Sequence, residues 1–206
     1  EKLYVKEFSK EEENNIFFLM DISKSMSLGE PSKLLFAKHL ACALGFIALS
    51  SGNRNVIFPF SDKMQQPSSL FNNENNFPKM LGFISSIKAD GRTNISESIS
   101  NFCNITKEKG MLIIISDLFD DMKCLKHLIT VSSRGYQICV IHVLSPQDIK
   151  PVFGENVILE DSETLEVKKI FVDNKVLDEY EKTVNDFCEK WRNLCGGHNI
   201  KYFFAT

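Results

Sequence analysis

Short apolar blocks alternate with longer helical patterns along this chain, and polar loops separate them. Asn15 to Met20 is the first such block, rich in Ile and Phe and stopped by a polar loop, which predicts a strand buried on both faces. Pro31 suits a first helical turn, so a helix is predicted from there to about Ser51, with Gly52 as its stop. Within it only Lys33, Lys38 and His39 are ionisable, so it reads as a core helix, apolar on nearly every side. Val56 to Phe60 predicts a second strand, and Pro59 places it near a sheet edge. Lys63 to Phe71 is expected to return as a short strand. Helices are predicted over Phe77 to Ile87 and over Ile95 to Lys109, with the turn Asp90-Gly91-Arg92 between them and Gly110 closing the second. Met111 to Ser116 is a third buried strand. Asp120 or Asp121 is expected to cap the next helix, which runs to about Ser133 before Gly135. Gln137 to Leu144 predicts a fourth strand, and Val157 to Glu160 with Glu166 to Val172 a hairpin. A long amphipathic helix, Lys175 to Cys195, ends at Gly196-Gly197 before a last strand, Ile200 to Ala205.

Strands alternating with helices of this length predict an α/β fold of three layers, helices on both faces of a mainly parallel central sheet. No repeat or linker composition interrupts the pattern. One domain over residues 1–206 is therefore expected, with a hairpin insertion near 156–172.

Composition narrows the function classes. Of 206 residues, 43% are hydrophobic and 25% charged, ordinary for a globular protein with a full core. The net charge of −3 and the scattered basic residues argue against a nucleic-acid or anionic-membrane partner, since both need clustered Lys and Arg. The longest hydrophobic stretch, Leu40 to Leu49, is too short to span a bilayer, so no membrane insertion by this segment is expected. The six cysteines, Cys42, Cys103, Cys124, Cys139, Cys188 and Cys195, form no C-x-x-C pair and several lie in apolar runs, which predicts reduced thiols and a cytoplasmic location. The chain begins at Glu1, without an initiator Met, and reads as a soluble segment of a longer protein.

The chemistry gathers at predicted strand ends. Ligands of open parallel sheets bind in the crevice at the carboxyl ends of the strands. Asp21 and Asp117 each follow a predicted strand, and both face one crevice if those strands are neighbours. Ser23 and Ser25 follow Asp21 at alternating positions, and Thr93 lies in a polar turn that can approach the same point. A set of two carboxylates and three hydroxyls is oxygen-only and suits a hard cation that keeps several waters, Mg²⁺ first, with Mn²⁺ or Ca²⁺ as relatives. Zinc is disfavoured, because no His or Cys accompanies the group.

These residues resemble the metal-ion-dependent adhesion site of von Willebrand factor A domains, whose pattern is Asp-x-Ser-x-Ser, a distant Thr and a more distant Asp. The chain offers Asp21-Ile22-Ser23-Lys24-Ser25, then Gly91-Arg92-Thr93, then Ser116-Asp117. Asn94 stands where such sites often carry Asp, and Arg92 replaces a small residue; neither is a direct ligand position. A broader resemblance is to the prokaryotic domain-of-unknown-function family 58, whose core is a von Willebrand factor A-like, Rossmann-like domain. It rests on Val5 to Phe8, Asp21 to Met26, Lys38, Ile141 to Pro146 and Leu159 to Thr164, followed by the closing helix and strand. The resemblance implies direct contact of Ser23 and Ser25 with the cation. Thr93 would contact it directly or through water, while Asp21 and Asp117 would act largely through waters. It implies a module that binds an acidic residue of a partner protein, with a MoxR-type AAA ATPase as the leading candidate. It does not imply an enzyme.

Taken singly, each residue has a plainer reading: a cap or loop carboxylate for Asp21 and Asp117, loop hydroxyls for Ser23, Ser25 and Thr93. Asp62 and Asp90 read as solvated loop carboxylates, and His39, His127 and His142 as ordinary core or surface histidines. The rival class is a metal-dependent phosphatase-like hydrolase with Asp21 as nucleophile. Such enzymes carry an acid/base Asp two residues on, where this chain has Ser23, and no phosphate-binding glycine loop or nucleophile elbow is present.

Overall fold

The computed structural model describes residues 13–120, 122–151, 156–160, 167–171 and 173–206. Its centre is a five-stranded parallel sheet in the order β2-β1-β3-β4-β7, formed by β1 (Asn15–Asp21), β2 (Arg54–Phe60), β3 (Gly110–Ser116), β4 (Gln137–Val143) and β7 (Lys201–Ala205). β5 (Asn156–Glu160) and β6 (Val167–Phe171) pair antiparallel as a separate hairpin, as the sequence predicts. Its turn, the Val5 to Phe8 lead-in and Asp121 lie outside the described residues.

Alternation along each strand feeds two cores. Ile16, Phe18 and Met20 of β1, with Ile113 and Ile115 of β3, join a cluster under α1 (Lys33–Ser50) and α2 (Phe77–Ser86). Phe17, Leu19, Leu112 and Ile114 point the other way, under α3 (Ile95–Ile105), α4 (Cys124–Ser133) and α6 (Asn174–Gly197). On that face Phe17, Phe58 and Tyr136 surround the Phe102 ring at tilted or edge-on angles, the arrangement aromatic quadrupoles favour. The result is the expected three-layer α/β/α fold.

α1 departs from its prediction. Only one stripe, including Leu34, Ala37, Ala41 and Ala48, is buried, while Leu35, Phe46 and Ile47 are 43%, 44% and 60% exposed. A helix laid on one face of a sheet can bury one side only, and α2 covers part of the remainder. By length and composition α1 would also be apolar enough to cross a bilayer, but its buried stripe is packed in the core. Its Lys38 ammonium donates to the Ser85 and Ile87 carbonyls at the end of α2, where orphan acceptors collect.

Other boundaries shift for local reasons. α3 ends at Ile105, and Gly110 belongs to β3: a Cβ there would lie 2.1 Å from the Asn15 carbonyl oxygen of the adjoining strand. β2 is an edge strand, as Pro59 predicts. The return from Lys63 to Phe71 is a line of isolated contacts, with Gln65, Ser68 and Phe71 donating to the carbonyls of Pro59, Ile57 and Asn55. A short helix, α5 (Pro146–Ile149), was not anticipated, although Ser145 and Asp148 form a reciprocal capping box around it.

Candidate functional site

Strand order sets the location. The chain leaves β1 toward one edge of the sheet and later crosses to β3 on the other side, so β1 and β3 flank the switch point where a crevice opens. Asp21 ends β1 and Asp117 follows β3, and both are fully buried.

Asp21 is held by neutral donors. Its Oδ1 accepts the Ser23 N–H at 2.9 Å, and its Oδ2 accepts the Ser116 hydroxyl at 2.5 Å and the Thr93 hydroxyl at 3.5 Å. Ser23 Oγ and Ser25 Oγ lie 3.0 Å apart, and both residues are buried in the turn that opens the 3-10 segment Lys24–Ser27. Thr93 reaches this point because its loop is stapled to two strand ends. The Asp90 N–H donates to the Ile22 carbonyl, the Lys24 N–H to the Gly91 carbonyl, and the Asn94 N–H to the Ser61 carbonyl. Gly91 permits the approach: its φ is +73°, and a Cβ would lie 2.5 Å from an Asp62 oxygen. Asn94, in place of the expected Asp, caps α3 by accepting the Glu97 N–H at 3.0 Å.

Asp117 is held by a cation. Its Oδ2 lies 2.8 Å from Lys33 Nζ, and its Oδ1 accepts the Phe119 N–H at 3.3 Å. The Lys33 side chain is 1% exposed, sits 5.1 Å from the Phe119 ring centroid, and is shared with Asp148 Oδ2 at 3.1 Å. That Asp148 oxygen also accepts the N–H and the hydroxyl of Ser145, each at 2.8 Å. The loop after Asp117 turns through Leu118 at φ 57°, then sends the Asp120 carboxylate to the Ile95 N–H at 2.8 Å. Asp120 therefore caps α3, while Asp121, the other residue expected to cap the helix that follows, lies outside the described residues.

The electrostatics follow from burial. Desolvation pushes the Asp21 carboxyl up to about 7, the Asp117 charge adds to the rise, and the hydrogen bonds from Ser116 and Ser23 oppose it. His142, beside Ser116 in β4, is buried with Nδ1 2.7 Å from the Tyr202 hydroxyl, and desolvation drives it down to about 4. It is a core histidine, while His39 and His127 are exposed. Asp62 and Asp90 are exposed loop carboxylates.

Four of the five residues singled out from sequence thus form one hydrogen-bonded group, and Asp117 stands beside it through its neighbour Ser116 and its charge. Among the described residues no three His, Cys, Asp or Glu side chains converge; this donor set is hydroxyl-rich with two carboxylates, chemistry that fits a hard divalent cation. Ser116, Lys33 and Asp148 were missed. Lys33 carried the clearest unused signal: a positive charge in the first turn of an apolar helix, the end where the helix dipole disfavours cations.

Comparison with known proteins agrees with this geometry at the level of fold. The chain is 21% identical over 184 residues to an uncharacterized protein, Rv1480, of Mycobacterium tuberculosis, matching 87% of this chain. It spans 58% of the length of that relative. The crystal structure of the conserved hypothetical protein BatB from Bacteroides thetaiotaomicron superposes with a TM-score of 0.58 at 16% identity, covering 94% of this chain and 90% of the other. The VWA domain of SpRpn10 superposes with a TM-score of 0.50 at 12% identity, covering 94% and 87%. The fold is von Willebrand factor A-like, and with the family model described as protein of unknown function DUF58 matching residues 1–189, the chain belongs to that family.

Proposed function

We propose that this domain is a protein-interaction module that holds a divalent cation, Mg²⁺ or a similar hard ion, in the crevice between β1 and β3. Through that ion it captures an acidic side chain of a partner. The observation that carries the reading is one buried cluster in which Asp21 accepts the Ser23 N–H and the Thr93 hydroxyl, Ser23 Oγ meets Ser25 Oγ, and Asp117 stands at the adjoining strand end. Ser23 and Ser25 would supply neutral oxygens, and Thr93 a third from the facing loop. Asp21 and Asp117 would supply the negative charge and orient bound water. When bound, the cation supplies a coordination position open to an outside carboxylate, because two carboxylates and three neutral hydroxyls leave that position to water. A carboxylate docked there gains from the low dielectric of the crevice. The loops 27–31, 62–66 and 118–120 would form the rim that selects the partner. A MoxR-type AAA ATPase, implied by the family resemblance, is the first partner to try.

The same reading makes the domain a binder and not a hydrolase. Both oxygens of Asp21 already accept hydrogen bonds, and Ser23 occupies the place of the acid/base Asp a phosphatase needs. The test is complex formation with the candidate ATPase, with Mg²⁺ or with EDTA, using wild type and Ser23→Ala/Ser25→Ala. A complex that forms with Mg²⁺, dissociates in EDTA and is lost in the folded double variant supports the proposal. A complex that survives both overturns metal-mediated recognition. Phosphatase turnover that vanishes in Asp21→Asn would reinstate the hydrolase reading.

A further inference from the structure

Lys33 is the least expected group near the crevice. It is a fully buried lysine placed at the first residue of α1, with no acidic residue in that turn to offset the helix dipole. A buried ammonium persists only where carboxylates hold it, and here two do, Asp117 at 2.8 Å and Asp148 at 3.1 Å. The Phe119 ring covers it. Asp117 is also the carboxylate that the proposed cation site needs at the end of β3. One carboxylate is thus asked to serve two cations, one tethered and one free.

We propose that Lys33 is a built-in competitor for the divalent cation: its ammonium occupies Asp117 in the metal-free domain and shifts toward Asp148 when a dication enters. This rests on the cation reading above and adds to it a residue that sets the affinity. Asp148 is suited to receive the charge, because its carboxylate is already fixed by the Ser145 N–H and hydroxyl. Its backbone carbonyl accepts the Tyr180 hydroxyl of α6 at 2.9 Å. Occupancy of the crevice would therefore be felt in the α5–α6 layer through a single shared ammonium.

The experiment is titration of the 206-residue domain with MgCl₂ by calorimetry, together with melting curves, for wild type, Lys33→Met, Asp148→Asn and the double variant. Lys33→Met is expected to bind at least about tenfold more tightly, because a positive charge close to the ion is removed. Its melting temperature should rise more with Mg²⁺ than that of wild type. Asp148→Asn should bind more weakly, since Lys33 then rests on Asp117 alone. In the Lys33→Met background the Asp148→Asn effect should shrink to within about twofold, the non-additivity that marks a shared partner. Binding by Lys33→Met alone, with none in wild type, supports the proposal in its strongest form. Binding by wild type that is equal or weaker in Lys33→Met overturns the Lys33 role and leaves the cation site standing. Should Lys33→Met fail to fold, an unchanged affinity in Asp148→Asn overturns it equally. Absence of binding in every folded variant removes the cation reading itself.

Discussion

The two carboxylates of the crevice stand at neighbouring strand ends, both fully buried, and are stabilised in opposite ways. Asp21 is surrounded by hydroxyls and a backbone N–H, none of them charged. Asp117 is paired with the Lys33 ammonium, which Asp148 shares. The difference assigns different duties. A carboxylate among neutral donors carries an uncompensated charge whenever it ionises, which burial resists and an incoming cation would relieve. A carboxylate against a buried ammonium is partly compensated in advance, so it holds the metal-free fold together and would have to give up that ammonium to serve an incoming cation.

Substitution of each carboxylate separates these duties. Among the described residues Asp117→Asn leaves the Lys33 ammonium with Asp148 as its remaining carboxylate partner, and breaking one side of a buried pair should cost roughly 3 kcal/mol in urea unfolding. Asp21→Asn should behave in the reverse sense, abolishing metal binding while stabilising the metal-free domain at pH 8. If both variants lose stability alike, the distinction between the two carboxylates is wrong.

The pH dependence sharpens the same contrast. Asp21 has an ordinary value near 3.8 in the unfolded chain and about 7 in the folded one. Between these values the native state keeps a proton that the unfolded state has released. Its contribution to stability therefore falls as pH rises through this window, at up to about 1.4 kcal/mol per pH unit, and levels off above it. Below pH 3.8 both states are protonated and the effect is absent. The stability of wild type relative to Asp21→Asn, measured without metal from pH 4 to pH 8, should decline accordingly. A constant difference would show that the Asp21 environment does not favour the neutral acid. Added Mg²⁺ should offset the decline in wild type only, since it favours the ionised carboxylate.

Most of the fold and half of the site were legible in the sequence, and the division has a physical basis. Strands such as Asn15–Asp21 and Gly110–Ser116 are apolar on both faces because both faces are covered, so their blocks stand out from the loops. Asp21, Ser23 and Ser25 lie within five residues, and their spacing alone places their side chains together. Thr93 and Asp117 could be placed only by motif order and resemblance, because the backbone staples that carry Thr93 inward, from Ile22, Lys24 and Ser61, leave no local pattern. Lys33 and Asp148 were illegible as a pair: they are joined across α1 and α5 by tertiary structure, and a lysine in an apolar helix reads as a solvated residue until its burial is known. The contact of Asp120 with α3 was illegible for the same reason, since its target at Ile95 lies 25 residues away in the chain.

The smallest expected effect belongs to Thr93, and it tests whether the neutral half of the crevice works as a unit. Its hydroxyl is 3.5 Å from Asp21 Oδ2, at the far limit of a hydrogen bond, while Ser116 holds the same oxygen at 2.5 Å. Loss of the Thr93–Asp21 contact in Thr93→Ala should therefore change stability by no more than about 0.5 kcal/mol, less than a well-formed hydrogen bond contributes. Its effect on Mg²⁺ affinity should be larger in proportion, a loss of several-fold, because the proposed cation group would lose one of its three neutral oxygens. Thr93→Ser keeps that hydroxyl and should restore most of the affinity. Calorimetric titration of the two variants beside wild type reads both outcomes. Equal affinity in Thr93→Ala and wild type would place Thr93 outside the coordination group and reduce the neutral half to Asp21, Ser23 and Ser25.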